Sequence, residues 1–251
     1  MSFLNLFKKP SLIVAHRGSS ASSPENTLLA LKNSINRCDF IEIDVQLSSD
    51  KVAIIMHDNS LERTTNVKDI YKNRSSYLVS DFTYQELKKL DYGSWFYENE
   101  KKPEPLLTLR DALKFAKENS VYLNIEIKDM DSFFNDDEVV STVLNEIKIS
   151  NTQELVLISS FRHEYLPLCK KLQANIPTAA LVAKKHPKNL INYLKSLNVD
   201  AYHFSDYLVD KKIVDVLVDA GIYINIYTVN NLARRQHLFD MGVNGVFSDY
   251  L

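Results

Sequence analysis

The residues best suited to chemistry in this chain include two carboxylates that stand two positions apart. Glu42 and Asp44 lie in the apolar segment FIEIDV, and side chains two apart on a β-strand point to the same face. Two carboxylates on one face of an apolar strand repel each other unless a positive charge lies between them. A divalent cation bound by both would supply that charge.

A second strand-like segment, NIEIK at 124–128, places its polar residues on one face in the same way. If this face meets that of the first strand, Glu126 completes a set of three carboxylate ligands and Lys128 adds a fixed positive charge. A set made only of carboxylates suits Ca²⁺ or Mg²⁺ better than zinc. The alternative is a salt-bridge network in which Lys128 and Arg17 neutralise the acids without a metal.

Two histidines and an arginine follow strand-like segments and could act beside this ion. His16 and Arg17 end the segment LIVAHR, and His57 ends the segment VAIIMH. Cleavage of a phosphodiester needs one group that takes a proton from the attacking oxygen and another that protonates the leaving oxygen, and histidine titrates near neutral pH. The planar fork of Arg17 suits a pair of phosphate oxygens. These residue types predict phosphodiester cleavage.

The elements that must position these residues form a repeating strand and helix pattern, typical of parallel strands buried on both faces. Strands are predicted at residues 12–16, 40–45, 121–127, 155–159, 178–182, 199–204, 223–229 and 243–247. Helices are predicted at about residues 25–37, 108–119, 136–149, 162–173, 187–197, 210–220 and 230–240. An open, doubly wound sheet has the same alternation, but eight strands favour a TIM (β/α)8 barrel, an α/β fold of about 250 residues.

One stretch, residues 46–107, does not fit the repeat. We expect residues 59–105 to form a small cap inserted after strand 2 of a single catalytic domain that spans residues 1–251, because insertions at that end of a barrel cover the active site. The aromatic residues at 95–97 are expected either to form the core of the cap or to line the alcohol site. No helix is predicted after the last strand, and residues 1–10 are expected to cover the resulting gap.

Composition excludes several other classes of function. Thirty Lys and Arg against 32 Asp and Glu give a net charge of -2, which disfavours nucleic acids and anionic membranes as partners. No segment approaches the roughly 18 apolar residues of a membrane span, so no stable membrane insertion is expected. Cys38 and Cys169 lack metal-type spacing and are expected to be reduced thiols. The first ten residues do not have the pattern of a signal peptide, which predicts a cytoplasmic protein, and no feature points to a particular oligomeric state.

At these residues the sequence resembles the glycerophosphodiester phosphodiesterase family, and the resemblance extends over nearly the whole chain. It implies a TIM barrel with a small cap after strand 2 that hydrolyses a small-molecule glycerophosphodiester to sn-glycerol 3-phosphate and an alcohol. The matching segments are AHRG (15–18), PENT (24–27), EIDV (42–45), MHD (56–58), LERTT (61–65), GSWF (93–96), NIEIK (124–128), SSF (159–161), YTVN (227–230) and GVNGVFSDY (242–250).

The resemblance also implies roles for single residues. These are an acid–base pair, His16 and His57; three ligands of one divalent cation, Ca²⁺ or Mg²⁺, namely Glu42, Asp44 and Glu126; and phosphate contacts from Arg17 and Lys128. Tyr227 stands where the family commonly has tryptophan, which keeps an aromatic wall and adds a hydroxyl. Phe161, at the barrel mouth, either faces the substrate or packs. PENT is expected to cap the first helix, and Leu251 replaces the usual proline after the final Asp-Tyr.

Two other reactions and one non-catalytic role also fit some of these residues. A phospholipase D-like lyase would let a hydroxyl of the substrate attack phosphorus and would leave a cyclic phosphate. A Schiff-base aldolase would use Lys128, but neighbouring carboxylates keep a lysine charged and weakly nucleophilic. A barrel that binds glycerophosphate without turnover would not need both histidines.

Overall fold

Eight parallel strands form a closed barrel in the computed structural model, which describes residues 2–251. The strands are β1 (Leu12–Ala15), β2 (Phe40–Leu47), β3 (Ala53–Ile55), β4 (Leu123–Ile127), β5 (Val156–Ser160), β6 (Thr178–Val182), β7 (Ala201–Ser205), β8 (Tyr223–Tyr227) and β9 (Gly245–Ser248). The ring closes because β1 pairs in parallel with both β9 and β2, while β3 is an antiparallel addition to β2. The predicted TIM barrel is confirmed.

Helices connect the strands, and all but the two within residues 59–105 lie near the positions that the hydrophobic spacing predicts. They are α1 (Leu28–Ser34), α2 (Val67–Ile70), α3 (Tyr84–Leu87), α4 (Leu109–Asn119), α5 (Asp136–Ser150), α6 (Tyr165–Leu172), α7 (Leu190–Leu197), α8 (Lys211–Asp219) and α9 (Leu232–Asp240). Helix α1 is shorter than predicted, because the hydroxyl of Thr27 accepts a hydrogen bond from the amide of Ala30 and begins the helix there. Within residues 2–251, every helix is too short or too polar to cross a bilayer.

The segment before β1 closes the amino-terminal end of the barrel. A 3-10 helix, Phe3–Lys8, buries Phe3 against the ring of Phe40, with centroids 5.2 Å apart, and stacks Phe7 on Tyr223 at 4.4 Å. The structure differs here from the expectation that residues 1–10 cover a gap after the last strand. Phe3 and Phe7 instead pack against side chains of the barrel interior, where Phe3 is fully buried and Phe7 nearly so.

Residues 59–105 lie between β3 and α4 and contain α2 and α3. Their apolar side chains form a cluster that also includes Ile54 of β3 and Met56, which directly follows β3. Trp95, Phe96 and Tyr97 belong neither to this cluster nor to the described residues that line the cavity at the barrel mouth. Trp95 and Tyr97 line a cleft on the surface of the segment instead. The expectation that these rings form the core of the segment is therefore wrong, whereas their role at the alcohol site stays a prediction.

Candidate active site

Three acidic side chains converge at the carboxyl ends of β2 and β4. Parallel pairing places Asp44 opposite Glu126, and Glu42 lies two residues before Asp44 on the same face. Glu42, Asp44 and Glu126 each offer one carboxylate oxygen, and these oxygens lie within 4.8 Å of one another. All three side chains are withdrawn from solvent, so their mutual repulsion is poorly screened.

The electrostatics of this cluster fit a bound cation. Burial, together with the charges of neighbouring acids, raises the pKa of Glu42 and of Glu126. Burial would also raise the pKa of Asp44, but Lys128 and Arg17 outweigh it and lower this pKa. The Oε1 atom of Glu42 is buried and has no hydrogen-bond partner. An orphaned carboxylate oxygen in an all-oxygen donor set is what a hard divalent ion requires.

Two basic residues contact the same acids. The Nζ atom of Lys128 lies 2.6 Å from Glu126 and 3.3 Å from Asp44, and Nε of Arg17 lies 3.6 Å from Asp44. The salt-bridge network that the sequence left open is therefore present alongside the acidic cluster. Burial opposes the charge of Lys128, but Asp44 and Glu126 raise its pKa, which keeps it protonated and disfavours the aldolase alternative.

The turn between β1 and α1 holds Arg17 in place. Arg17 (φ +58°) and Gly18 (φ +80°) both adopt left-handed backbone conformations, which directs the Arg17 amide to Glu42 Oε2 at 2.8 Å. A Cβ atom on Gly18 would lie 2.8 Å from Ala30. The chain can therefore make this turn only with glycine at position 18.

Each of the two predicted histidines is bound at Nδ1 by a carboxylate. His16 Nδ1 lies 2.7 Å from Asp249 Oδ1, and His57 Nδ1 lies 2.6 Å from Asp58 Oδ1. This leaves Nε2 of each ring as the nitrogen for a reacting group. Burial lowers the pKa of His57, although Asp44 opposes the shift.

Both histidines line one cavity at the mouth of the barrel. Two aromatic rings form part of its wall: those of Phe161 and Tyr227 meet edge to face with centroids 6.1 Å apart. The hydroxyl of Tyr227 is buried without a hydrogen-bond partner. Asp44 and Lys128 do not line the cavity but contact residues that do. The lining residues are His16, Arg17, Glu42, His57, Asn124, Glu126, Phe161, Leu181, Tyr227, Thr228 and Phe247.

Comparison with known proteins identifies the family. The sequence model of the Glycerophosphoryl diester phosphodiesterase family matches residues 16–251. The chain belongs to this family. The enzyme class predicted from the sequence motifs is thereby confirmed.

Individual relatives match over most of their length. A glycerophosphodiester phosphodiesterase of Bacillus subtilis is 34% identical over 95% of this chain and 83% of its own, and one of Bacillus altitudinis is 33% identical over 95% and 94%. Among solved structures, a phosphodiesterase of Oleispira antarctica in complex with the product sn-glycerol-3-phosphate superposes with a TM-score of 0.87. It is 30% identical, with 98% of this chain and 95% of that one covered.

Sequence reasoning missed two site residues in PENT. The segment does cap α1 through Thr27, but Glu25 forms an ion pair with Arg17 at 2.9 Å. Asn26, with φ +58°, donates to Asp44 Oδ2 at 2.8 Å and accepts from the Asp44 amide at 3.2 Å. An asparagine next to a glutamate just before a helix was a usable signal, since asparagine tolerates the left-handed conformation that turns its side chain into the site.

Sequence reasoning also missed the two carboxylates that hold the histidines. Asp58 directly follows His57, so proximity along the chain was a signal. Asp249 has no such signal, because only the closure of the barrel brings it to His16. It also accepts hydrogen bonds from Asn230 at 2.7 Å and Ser20 at 3.1 Å.

Proposed function

We propose that this protein hydrolyses glycerophosphodiesters to sn-glycerol 3-phosphate and an alcohol, with His16 and His57 as its acid–base pair. One observation carries the proposal: two imidazoles, each bound at Nδ1 by a carboxylate, line the same cavity as the acidic cluster. Membership of the family and similarity to a structure that holds sn-glycerol-3-phosphate support the choice of substrate.

The two rings have complementary tasks. Nε2 of one imidazole takes a proton from the attacking water, and Nε2 of the other protonates the oxygen of the departing alcohol. The bonds to Asp249 and Asp58 fix the orientation of the rings and stabilise the protonated form of each.

Charge on the phosphate is met by residues around the acidic cluster. Arg17 can offer its guanidinium to the phosphoryl oxygens from the cavity wall, while Lys128 contributes a positive charge just behind the acids. Glu42, Asp44 and Glu126 would hold one divalent cation, Ca²⁺ or Mg²⁺. When bound, such an ion offsets the negative charge that develops on phosphoryl oxygens.

The aromatic wall and the inserted segment shape the rest of the site. Phe161 and Tyr227 are proposed to contact the substrate, since both line the cavity. Residues 59–105 are proposed to act as a cap of the single catalytic domain, because Arg63 of this segment binds Glu25 and Asp58 beside the cavity.

Phosphorus NMR of the products tests the proposal. The protein is incubated with glycerophosphocholine, glycerophosphoethanolamine and glycerophosphoglycerol, each with Ca²⁺ or Mg²⁺. We expect a glycerol 3-phosphate signal to grow with at least one of these substrates. Accumulation of a cyclic phosphate would support the lyase instead, and no turnover in any combination would refute both.

A further inference from the structure

Arg63 joins three parts of the chain through one planar group. Its Nη1 and Nη2 atoms donate to the Glu25 carboxylate at 2.8 and 2.7 Å, and its Nε atom donates to Asp58 Oδ2 at 2.5 Å. The guanidinium carbon lies 5.8 Å from the centroid of the Trp95 ring. Arg63 therefore links the matched segments LERTT, PENT, MHD and GSWF.

Both carboxylates that Arg63 binds also bind residues of the cavity. Asp58 uses its other oxygen, Oδ1, to hold His57 Nδ1 at 2.6 Å. Glu25 Oε1 accepts a second hydrogen bond from Arg17 Nη1 at 2.9 Å. A continuous chain of charged contacts thus runs from His57 through Asp58, Arg63 and Glu25 to Arg17.

We propose that Arg63 is a positioning residue that fixes the side chains of His57 and Arg17 together. The proposal rests on the proposed function, because it assumes that these two residues act on the phosphodiester. Arg63 is not one of the described residues that line the cavity, so it acts through Asp58 and Glu25.

The geometry requires arginine at this position. One guanidinium presents a fork to Glu25 and a third donor, at Nε, to Asp58, and the plane of the group fixes the angle between the two carboxylates. The ammonium of a lysine is a point charge that cannot hold both partners in fixed directions. The ring of Trp95 lies on one side of the guanidinium, within the distance of a cation–π contact.

Loss of Arg63 should affect its two partners differently. Glu25 would keep Arg17 as its only cation and would draw it away from the phosphate, which predicts a higher KM. Asp58 would lose its anchor and no longer fix the ring of His57, which predicts a lower kcat. Burial raises the pKa of Asp58, but hydrogen bonds from Arg63 and His57 outweigh it and lower this pKa to about 2, so the carboxylate remains an anion near neutral pH.

Substitution of Arg63 tests the proposal against a matched arginine of the same segment. Arg74 also forms an ion pair, with Glu86 at 2.7 Å, and lies over an aromatic ring, that of Phe82, at 4.0 Å. Steady-state turnover of glycerophosphocholine is measured for R63K, R63Q, R74K and R74Q. We expect kcat/KM of R63Q to fall by up to about 100-fold, through a lower kcat and a higher KM, because small displacements of the reacting groups slow the reaction this much. R63K should recover only part, and both Arg74 variants should stay within about twofold of the unsubstituted protein.

Double substitutions separate positioning from a general loss of stability. Asp58→Asn should reproduce mainly the fall in kcat, and Glu25→Gln mainly the change in KM. R63Q combined with either should cost less than the product of the two single effects, because the same chain of contacts is broken twice. In the double variant R63Q/R74Q, the effects of the two single substitutions on kcat/KM should multiply. Guanidinium ions added to R63A should restore part of the turnover, which a merely structural role does not predict.

The outcomes separate this inference from the proposed function. If the unsubstituted protein turns over no glycerophosphodiester, the function fails and the inference fails with it. If that protein is active and folded R63Q keeps its kcat and KM, the inference is overturned and the function stands. If R63Q does not fold, R63K provides the test. A folded R63K with unchanged kcat and KM overturns the inference, whereas a lower kcat together with a higher KM supports it.

Discussion

The Nδ1 atom of His16 lies 2.7 Å from Oδ1 of Asp249, although the two residues are 233 positions apart. His16 follows β1 and Asp249 follows β9, and these are the strands whose pairing closes the barrel. The His16 amide also donates to the Ser248 carbonyl at 3.0 Å across the same seam. The pairing that closes the barrel therefore also brings the carboxylate of Asp249 to the ring of His16.

Replacement of Asp249 by asparagine should lower kcat. The amide removes the negative charge that stabilises a protonated imidazole and can present a donor to Nδ1 in place of an acceptor. We expect a loss of at least about 10-fold in kcat for glycerophosphocholine, with a smaller effect on KM. Asp215→Asn is the control, because Asp215 forms an exposed ion pair with Lys211 on α8. Equal rates for the two variants would contradict the role of Asp249.

The same carboxylate should make stability depend on pH at the acidic end. Burial raises the pKa of Asp249, but hydrogen bonds from His16, Asn230 and Ser20 outweigh it and lower this pKa from 3.8 to about 2. A lowered pKa in the folded state contributes stability above pH 3.8, and this contribution is lost as the pH falls towards 2. In urea unfolding at pH 5, Asp249→Asn should therefore have a lower free energy of unfolding than the unsubstituted protein, and this deficit should become smaller as the pH falls to 2. A deficit that widens on acidification would count against these bonds.

Removal of one acidic ligand should weaken the binding of divalent ions. Ca²⁺ or Mg²⁺ at 100 times its Kd should stabilise the unsubstituted protein by about 2.7 kcal/mol, which a thermal melt detects as a higher Tm. Glu126→Gln should bind the ion at least about 10-fold more weakly in calorimetry, because one of three charged oxygens becomes neutral. Glu146→Gln on α5, which removes an exposed ion pair with Arg110, is the control. Equal ion affinity in Glu126→Gln and the control would refute the predicted site.

Tyr227→Phe isolates the hydroxyl that distinguishes this chain from family members with tryptophan. The hydroxyl is buried without a hydrogen-bond partner, so its removal should leave Tm unchanged or raise it. If the hydroxyl bonds to bound substrate, KM for glycerophosphocholine should rise by up to about 10-fold, the equivalent of one hydrogen bond. A marked fall in Tm, or an unchanged KM, would argue that Tyr227 is only a packing residue.

The strands, most helices and the acidic cluster could be predicted because their signals are local. Alternating polar residues in FIEIDV and NIEIK place Glu42, Asp44 and Glu126 on facing surfaces once β2 and β4 pair in parallel. Hydrophobic spacing likewise places α4 and α5 to within one or two residues.

The contacts that connect the site residues could not be predicted, because they depend on packing between distant segments. Glu25 looks like an ordinary residue before a helix until Arg63 and Arg17 meet on its carboxylate. Asp249 meets His16 only through the seam of the barrel. The burial of Phe3 beneath the barrel is likewise invisible in a short apolar segment with no partner nearby in the sequence.

The central claim is tested most directly by glycerol 3-phosphate release in single histidine variants. Formation of this product from glycerophosphocholine is measured for the unsubstituted protein, His16→Asn, His57→Asn and His237→Asn, the last an exposed histidine on α9. The account predicts that His16→Asn and His57→Asn each lose at least about 100-fold in kcat, while His237→Asn keeps full activity. Substantial turnover by folded His16→Asn or His57→Asn would contradict it.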